Sequence, residues 1–410
     1  MLRFLRFKPR LLNFPRSGRP RSAEENSRAR SAVARYMDRI LICLFAGAIA
    51  IPAVWGLGFS EPAVPSFENR NPAPPPATFS KHGAWKKFPT QFEQFFNDRL
   101  GFRRNLLDYH ARSKMNWFQV SSSPTVAIGP NGWLFLKSST PFDNPVERRP
   151  SQPEHARRWC ACLKERQDWL AERGIRYLVV IAPEKDSIYP EEFPRSMRYV
   201  HEEPILDDFL KQAEILGLPV VDLRPALLEA KNREPLYFKY DTHWNGVGSW
   251  YGAMTVLSHL KQWYPDFTVP KRSDYSPDSF PFPEPNLARN LAMNDVHEAY
   301  YYLKGGMPST ARPVSADFGR ESSLRLEPNG PEGYKTDHRD RPRALFLHDS
   351  FALYMLGHMT EQFQELNCLW SYQMPKEFIE RTKPDLVIQE IVERHLKSPP
   401  KNVLGPQESP

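Results

Sequence analysis

Apolar positions recur along the chain with two periods, and the change from one to the other marks its elements. Residues 40–59, ILICLFAGAIAIPAVWGLGF, run for twenty positions without a charge, the length a helix needs to cross ~30 Å of hydrocarbon. Between 88 and 118, Phe92, Phe95, Phe96, Leu100, Leu106 and Leu107 fall at near-helical spacing broken at Gly101, which predicts two short helices. Apolar runs at 125–128 and 133–136 flank Gly129-Pro130-Asn131-Gly132 and predict two strands joined by a tight turn.

Further on, residues 154–173 are helical in period and stop at Gly174, ahead of a buried-type strand at 177–181. The alternation continues with helix 206–216, strand 220–222, helices 226–231 and 246–264, strand 344–347, helix 351–363, strand 368–370, helix 376–381 and strand 386–391. Such alternation predicts a mainly parallel sheet with helices on both faces. Residues 265–341 break it: they are polar, Pro-rich and far longer than an ordinary α/β connection. They read as an insertion, 267–340, peripheral to the core and a candidate substrate-facing cap. The expected organisation is a folded domain at 88–396 with a loose tail at 397–410.

Proline makes up 41 of the 410 residues and clusters where linkers are expected. Residues 61–79 are a semi-rigid spacer within a 60–87 linker, expected to hold the large domain off a membrane. Residues 1–39 carry eleven Lys/Arg against three Asp/Glu, and this bias keeps the tail in the cytoplasm and makes 40–59 a signal anchor. A cleaved leader is the competing reading, since Ala48-Ile49-Ala50 resembles a cleavage site; against it, the apolar run continues past Ala50 and Pro52 sits just beyond the cut.

Beyond residue 39 there remain 44 basic and 45 acidic side chains, so the net charge of +7 belongs to the tail. The rest offers no nucleic acid a basic field. Cys43 lies in the span, while Cys160 and Cys162 point to different faces of one helix, which leaves buried thiols or a single pairing with Cys368. No His/Cys cluster has metal-ligand spacing and no Gly-rich phosphate loop or redox CxxC occurs, so neither metal nor cofactor is expected.

Two places combine reactive residue types with suitable placement. Ser350, in His348-Asp349-Ser350-Phe351, follows an apolar strand and precedes a helix, where a nucleophile sits with backbone N–H groups aimed at a developing oxyanion; a plain helix N-cap is the alternative. Asp241 and His243 stand two apart, so in an extended segment both leave on the same side, as a carboxylate orienting an imidazole requires. Their alternative is a structural Asp capping the helix at 245–248 beside a packed His. Tyr237, Phe238, Tyr240 and Trp244 wall a sugar cleft or belong to the core. Lys185 follows a strand end, where α/β sheets place ligand contacts, but reads as a solvated loop lysine, and Glu393-Arg394-His395 as a surface ion-pair site rather than a substrate clamp.

The series Phe67-Glu68-Asn69-Arg70, Phe96-Asn97-Asp98-Arg99-Leu100-Gly101-Phe102-Arg103, Gly129-Pro130-Asn131-Gly132-Trp133-Leu134-Phe135, Tyr240-Asp241-Thr242-His243-Trp244, His348-Asp349-Ser350-Phe351 and Pro384-Asp385-Leu386-Val387-Ile388 resembles the alginate O-acetyltransferase AlgJ/AlgX family over residues 65–396. The resemblance implies an α/β, SGNH-hydrolase-like (flavodoxin-like) parallel sheet flanked by helices, circularly permuted so that Asp and His precede Ser. It implies a catalytic triad of Asp241, His243 and Ser350, acting on an exported polysaccharide. It also implies a polytopic membrane acyltransferase as acetyl donor and, for a bacterial chain of the membrane-anchored AlgJ type, a catalytic domain on the periplasmic side of the inner membrane. His348 stands where the family often has Gly, and an appended carbohydrate-binding module is not expected. A plain acetylesterase and a catalytically silent binding or assembly subunit are the alternatives.

Overall fold

In a computed structural model the described residues are 23–59, 71–76, 84–118, 120–137, 153–194, 197, 205–283, 285–291, 293, 295–306, 309–318 and 333–398. The start of the basic tail, most of the Pro-rich spacer and residues 399–410 lie outside them. The chain divides into two units, Met1–Leu106 and Leu107–Pro410. The first holds helices α1 (Ala23–Phe59) and α2 (Ala84–Arg99). Within α1, Ala34–Gly56 is long and apolar enough to cross a membrane. Helix α3 (Arg103–Phe118) follows, and strands β1 (Val126–Ile128) and β2 (Leu134–Leu136) pair antiparallel around the anticipated turn.

The second unit is built on a seven-stranded sheet of order β4-β3-β11-β9-β10-β8-β7. Its parallel part comprises β3 (Arg176–Ala182), β4 (Val220–Asp222), β9 (Arg343–His348), β10 (Glu365–Trp370) and β11 (Leu386–Val392). Because strand side chains alternate, these apolar runs feed two cores. Leu178, Val180, Phe346 and Ile388 face α7 (Arg224–Ala230), α8 (Gly246–Leu260) and α10 (Leu353–Met359). Val179, Ile181, Leu345 and Val387 face α4 (Pro153–Ala171), α6 (Ile205–Ile215) and α11 (Lys376–Thr382). Gly174, at φ +70, ends α4 in the left-handed conformation that spares only glycine a steric cost. This is the expected three-layer α/β arrangement.

The insertion departs from expectation. It contains a long antiparallel pair, β5 (Tyr275–Pro283) with β6 (His297–Gly305), a short helix α9 (Asn286–Asn290), and β7 (Arg312–Val314) and β8 (Gly333–Lys335), which extend the main sheet beside β10. Phe267, Leu287, Leu291 and Leu303 are buried, so the segment is not merely peripheral. Pro277, Pro281 and Pro283 hid β5: proline removes a ladder donor, and a two-stranded pair has an open side that tolerates the loss.

Candidate active site

The parallel strands end together, and the loops that leave their C-terminal edge carry the reactive residues, as open α/β sheets arrange them. Ser350 comes two residues after β9 ends, and the α7–α8 loop that follows β4 delivers Asp241 and His243. The His243 Nε2 lies 2.8 Å from Ser350 Oγ and its Nδ1 lies 2.7 Å from Asp241 Oδ1. An ionised carboxylate only accepts, so Nδ1 carries the proton and Nε2 of the neutral ring is left to accept from the serine hydroxyl. The structure therefore brings together all three residues singled out from sequence.

Asp241 is 3% exposed. Burial pushes its carboxyl up, but the His243 contact and the Asn286 and His243 backbone N–H groups outweigh this and hold it below the ordinary aspartate value. The His243 N–H reaches Oδ1 over 3.0 Å and the Asn286 N–H reaches Oδ2 over 2.6 Å. Asp241 is not a helix cap. Asn245 caps α8, its Oδ1 accepting from Val247 and Gly248 N–H at 2.9 and 3.0 Å, which leaves Asp241 to the imidazole.

The loop bearing Asp241 is gripped from three sides. Lys185 Nζ donates to the carbonyls of Phe238, Lys239 and Asp241 at 3.0, 3.3 and 2.7 Å. Glu298 of β6 accepts the N–H groups of Lys239 and Tyr240, and the Asn286 side chain exchanges bonds with Thr242 at 2.8 and 3.0 Å. Lys185 is only 2% exposed, which corrects the solvated-loop reading; burial pulls its amine down to about 7 against the raising pull of Asp241 and Glu298. Asn286 and Glu298 went unnoticed in the sequence because nothing local marks them: both act from the insertion across more than forty residues of chain.

Around Ser350 two further expectations change. Helix α10 begins at Leu353, and the Phe351 N–H is already bonded to Asp349 Oδ1 over 2.8 Å, so it does not point at an oxyanion. His348 is buried, with its ring centroid 6.1 Å from the indole of Trp370 on β10 and its Nδ1 2.8 Å from the Asp349 carbonyl. The 393–395 segment is not a surface site: Glu393 is buried and accepts from the Glu184 N–H and the Ser187 hydroxyl at 3.0 and 2.6 Å, and burial raises its carboxyl to about 7. Arg394 pairs with Glu184 and lies over the Phe351 ring at 5.3 Å.

Tyr237, Phe238 and Trp244 are buried, so the core reading holds for them. The rings near the site are instead Tyr354, centred 5.7 Å from the His243 ring, then Tyr300 at 6.1 Å from Tyr354 and Phe280 stacked on Tyr300 at 4.7 Å. Cys160, Cys162 and Cys368 are buried free thiols. Among the described residues no group of three or more His, Cys, Asp or Glu is placed to hold a metal ion.

Residues 126–279, which include Asp241 and His243, match the family described as SGNH hydrolase-like domain, acetyltransferase AlgX. The chain is also similar to proteins described as probable alginate O-acetylase AlgJ. It is 31% identical over 137 residues to the probable alginate O-acetylase AlgJ of Pseudomonas aeruginosa, covering 33% of this chain and 32% of the relative. To the protein of the same description from Pseudomonas syringae pv. tomato it is 22% identical over 228 residues, 56% of this chain and 54% of the relative. The match thus spans about a third and about half of the length of these two relatives. Among solved structures, the O-acetyltransferase domain of Pseudomonas putida AlgJ is similar at TM-score 0.47 and 17% identity, covering 67% of this chain and 92% of that one. Bacillus cereus PatB1 is similar at 0.49 and 15%, covering 66% and 96%.

Proposed function

We propose that this chain is an O-acetyltransferase that works through an acetyl-serine on Ser350. The observation that supports the reading is the unbroken hydrogen-bonded run from Asp241 through His243 to Ser350. Ser350 Oγ attacks the acetyl carbonyl of the donor while His243 Nε2 takes the hydroxyl proton, and the donor's alcohol or thiol leaves with that proton. A sugar hydroxyl then attacks the acetyl-serine and gives its proton to His243, which returns it to Ser350. Asp241 holds the imidazole tautomer and balances the imidazolium formed at each step.

The acceptor is an exported polysaccharide, with alginate, named in the curated relatives, the first to test. The domain faces the periplasm from an α1 anchor in the inner membrane. Because acetyl-CoA is cytoplasmic, a polytopic membrane acyltransferase supplies the acetyl group. Full-length protein given an acetyl-labelled donor ester and free polysaccharide should move label to the polymer, with a labelled serine at 350 trapped on quenching. Release of label only as free acetate identifies an esterase, and normal polymer acetylation by Ser350→Ala overturns the reading.

A further inference from the structure

The first unit contains an unusually close backbone approach at the end of the apolar helix. The Gly101 N–H donates to the Pro52 carbonyl over 2.8 Å. Gly56 is buried against the backbone of Arg99 and Gly101, and a Cβ at position 56 or 101 would collide with backbone atoms. Small residues that let two backbones meet in this way are the usual device for docking a segment onto a membrane helix.

The residue after this contact is unusual as well. Phe102 holds φ at 59, a left-handed conformation that is a real outlier for a bulky side chain. The strain sets its ring on Trp55, with centroids 5.6 Å apart and planes 28° from parallel. Phe102 is nonetheless about half exposed, as are Phe92 on α2 and Leu106 just beyond, and Ile51, Val54 and Trp55 of α1, the last of which it stacks on, are exposed as well.

We propose that the turn at Gly101 and the Phe92 side of α2 are seated in the interfacial layer of the bilayer that α1 crosses, so that lipid is the partner of this surface. The inference rests on the anchor reading of α1. The apolar window ends at Gly56, and Pro52 lies only ~6 Å deeper at ~1.5 Å per residue, so a segment bonded to Pro52 enters at headgroup depth. The composition suits that depth: aromatic rings favour the interface, and residues 84–106 carry five basic and two acidic side chains, whose long stems reach back to phosphates. Near the same turn the Ala73 N–H is tied to the buried Asp98 of α2 over 2.8 Å.

The test uses the full chain, with Cys43→Ser to silence the thiol in the span, reconstituted into phosphatidylglycerol/phosphatidylethanolamine vesicles. An environment-sensitive label is placed at Phe92→Cys and, separately, at Leu106→Cys. Lipids with a nitroxide near the headgroup should quench both labels severalfold more than aqueous iodide does, and Gly101→Val, whose side chain has no room beside Pro52, should reverse that order. Iodide-dominated quenching in the parent, or no change with Gly101→Val, overturns the proposal. A mature chain starting after Ala50 instead removes the anchor on which it rests, an outcome read separately by the mass of the membrane-extracted protein.

Discussion

The indole N–H of Trp244 donates to the carbonyl of Phe351 over 3.0 Å, and the two rings meet edge-on at 5.2 Å. These residues directly follow His243 and Ser350, so the bond ties the imidazole loop to the serine turn from beneath. Both side chains are fully buried. Trp244→Phe leaves that carbonyl without its indole donor in an apolar setting, at a cost of about 1–3 kcal/mol before any cavity term. Urea unfolding should register this loss, and acetyl transfer by the still-folded fraction should fall at least ~10-fold, since loosening the serine–imidazole contact by ~1 Å is enough to do so.

Replacing the reactive side chains should separate chemistry from stability. Ser350→Ala is expected to abolish transfer while moving unfolding free energy by no more than about 1 kcal/mol, because it deletes one partly exposed hydroxyl. His243→Ala should be as damaging, and the double variant little worse than either single, since residues that act as a unit are not additive. Equal and additive losses, measured as kcat/KM on a chromogenic acetyl ester, would falsify a shared role.

Asp241 gives a pH test with a definite sign. Its carboxyl lies below the ordinary value when folded, so the stability it contributes is fully present above that ordinary value and is lost as pH falls through the lowered one. The difference in unfolding free energy between the parent and Asp241→Asn should therefore hold steady from pH 7 to about 5 and shrink toward pH 3. A difference that is flat over the whole range contradicts the assignment. At neutral pH, Asp241→Asn should cost on the order of 10⁴ in rate through the wrong imidazole tautomer.

Lys185 titrates in the opposite sense to a salt-bridged lysine. Its amine is pulled down to about 7 in the folded protein, while the unfolded chain keeps its proton to about 10.4. Between those values the unfolded state binds the extra proton, so the stability of the parent relative to Lys185→Met should rise with pH, by at most about 1.4 kcal/mol per unit. Urea midpoints at pH 6 and 9 decide this. Because the amine holds three carbonyls of the Asp241 loop, Lys185→Met should also lower kcat with little change in KM.

Legibility in the sequence followed the range of the interactions. The strand at Tyr177–Ile181 announces itself because five consecutive buried side chains are adjacent in the chain. Asp241 and His243 were legible because their relationship is local, two residues apart in one loop, although the segment is bent rather than extended. Lys185 was misread because its surroundings by sequence are polar, whereas its burial comes from carbonyls 53 to 56 residues downstream. Asn286 and Glu298 were missed for the same reason. The aromatic set around His243 failed by substitution: rings near it in sequence went to the core, and Tyr300 and Tyr354 came from elsewhere.

The position of β11 has a consequence for how the chain matures. It pairs with β3 on one side and β9 on the other, so the last of the described strands to be made is the one that joins the two halves of the parallel sheet. Until residues 386–392 have been made, β3 and β9 each keep an unpaired, mostly apolar edge, and unpaired edges of that kind invite pairing with other chains. A nascent chain stalled upstream of Leu386 is therefore a client for holding chaperones rather than a half-built enzyme. Acquisition of protease resistance should lag synthesis of the first 380 residues and then arrive in one step.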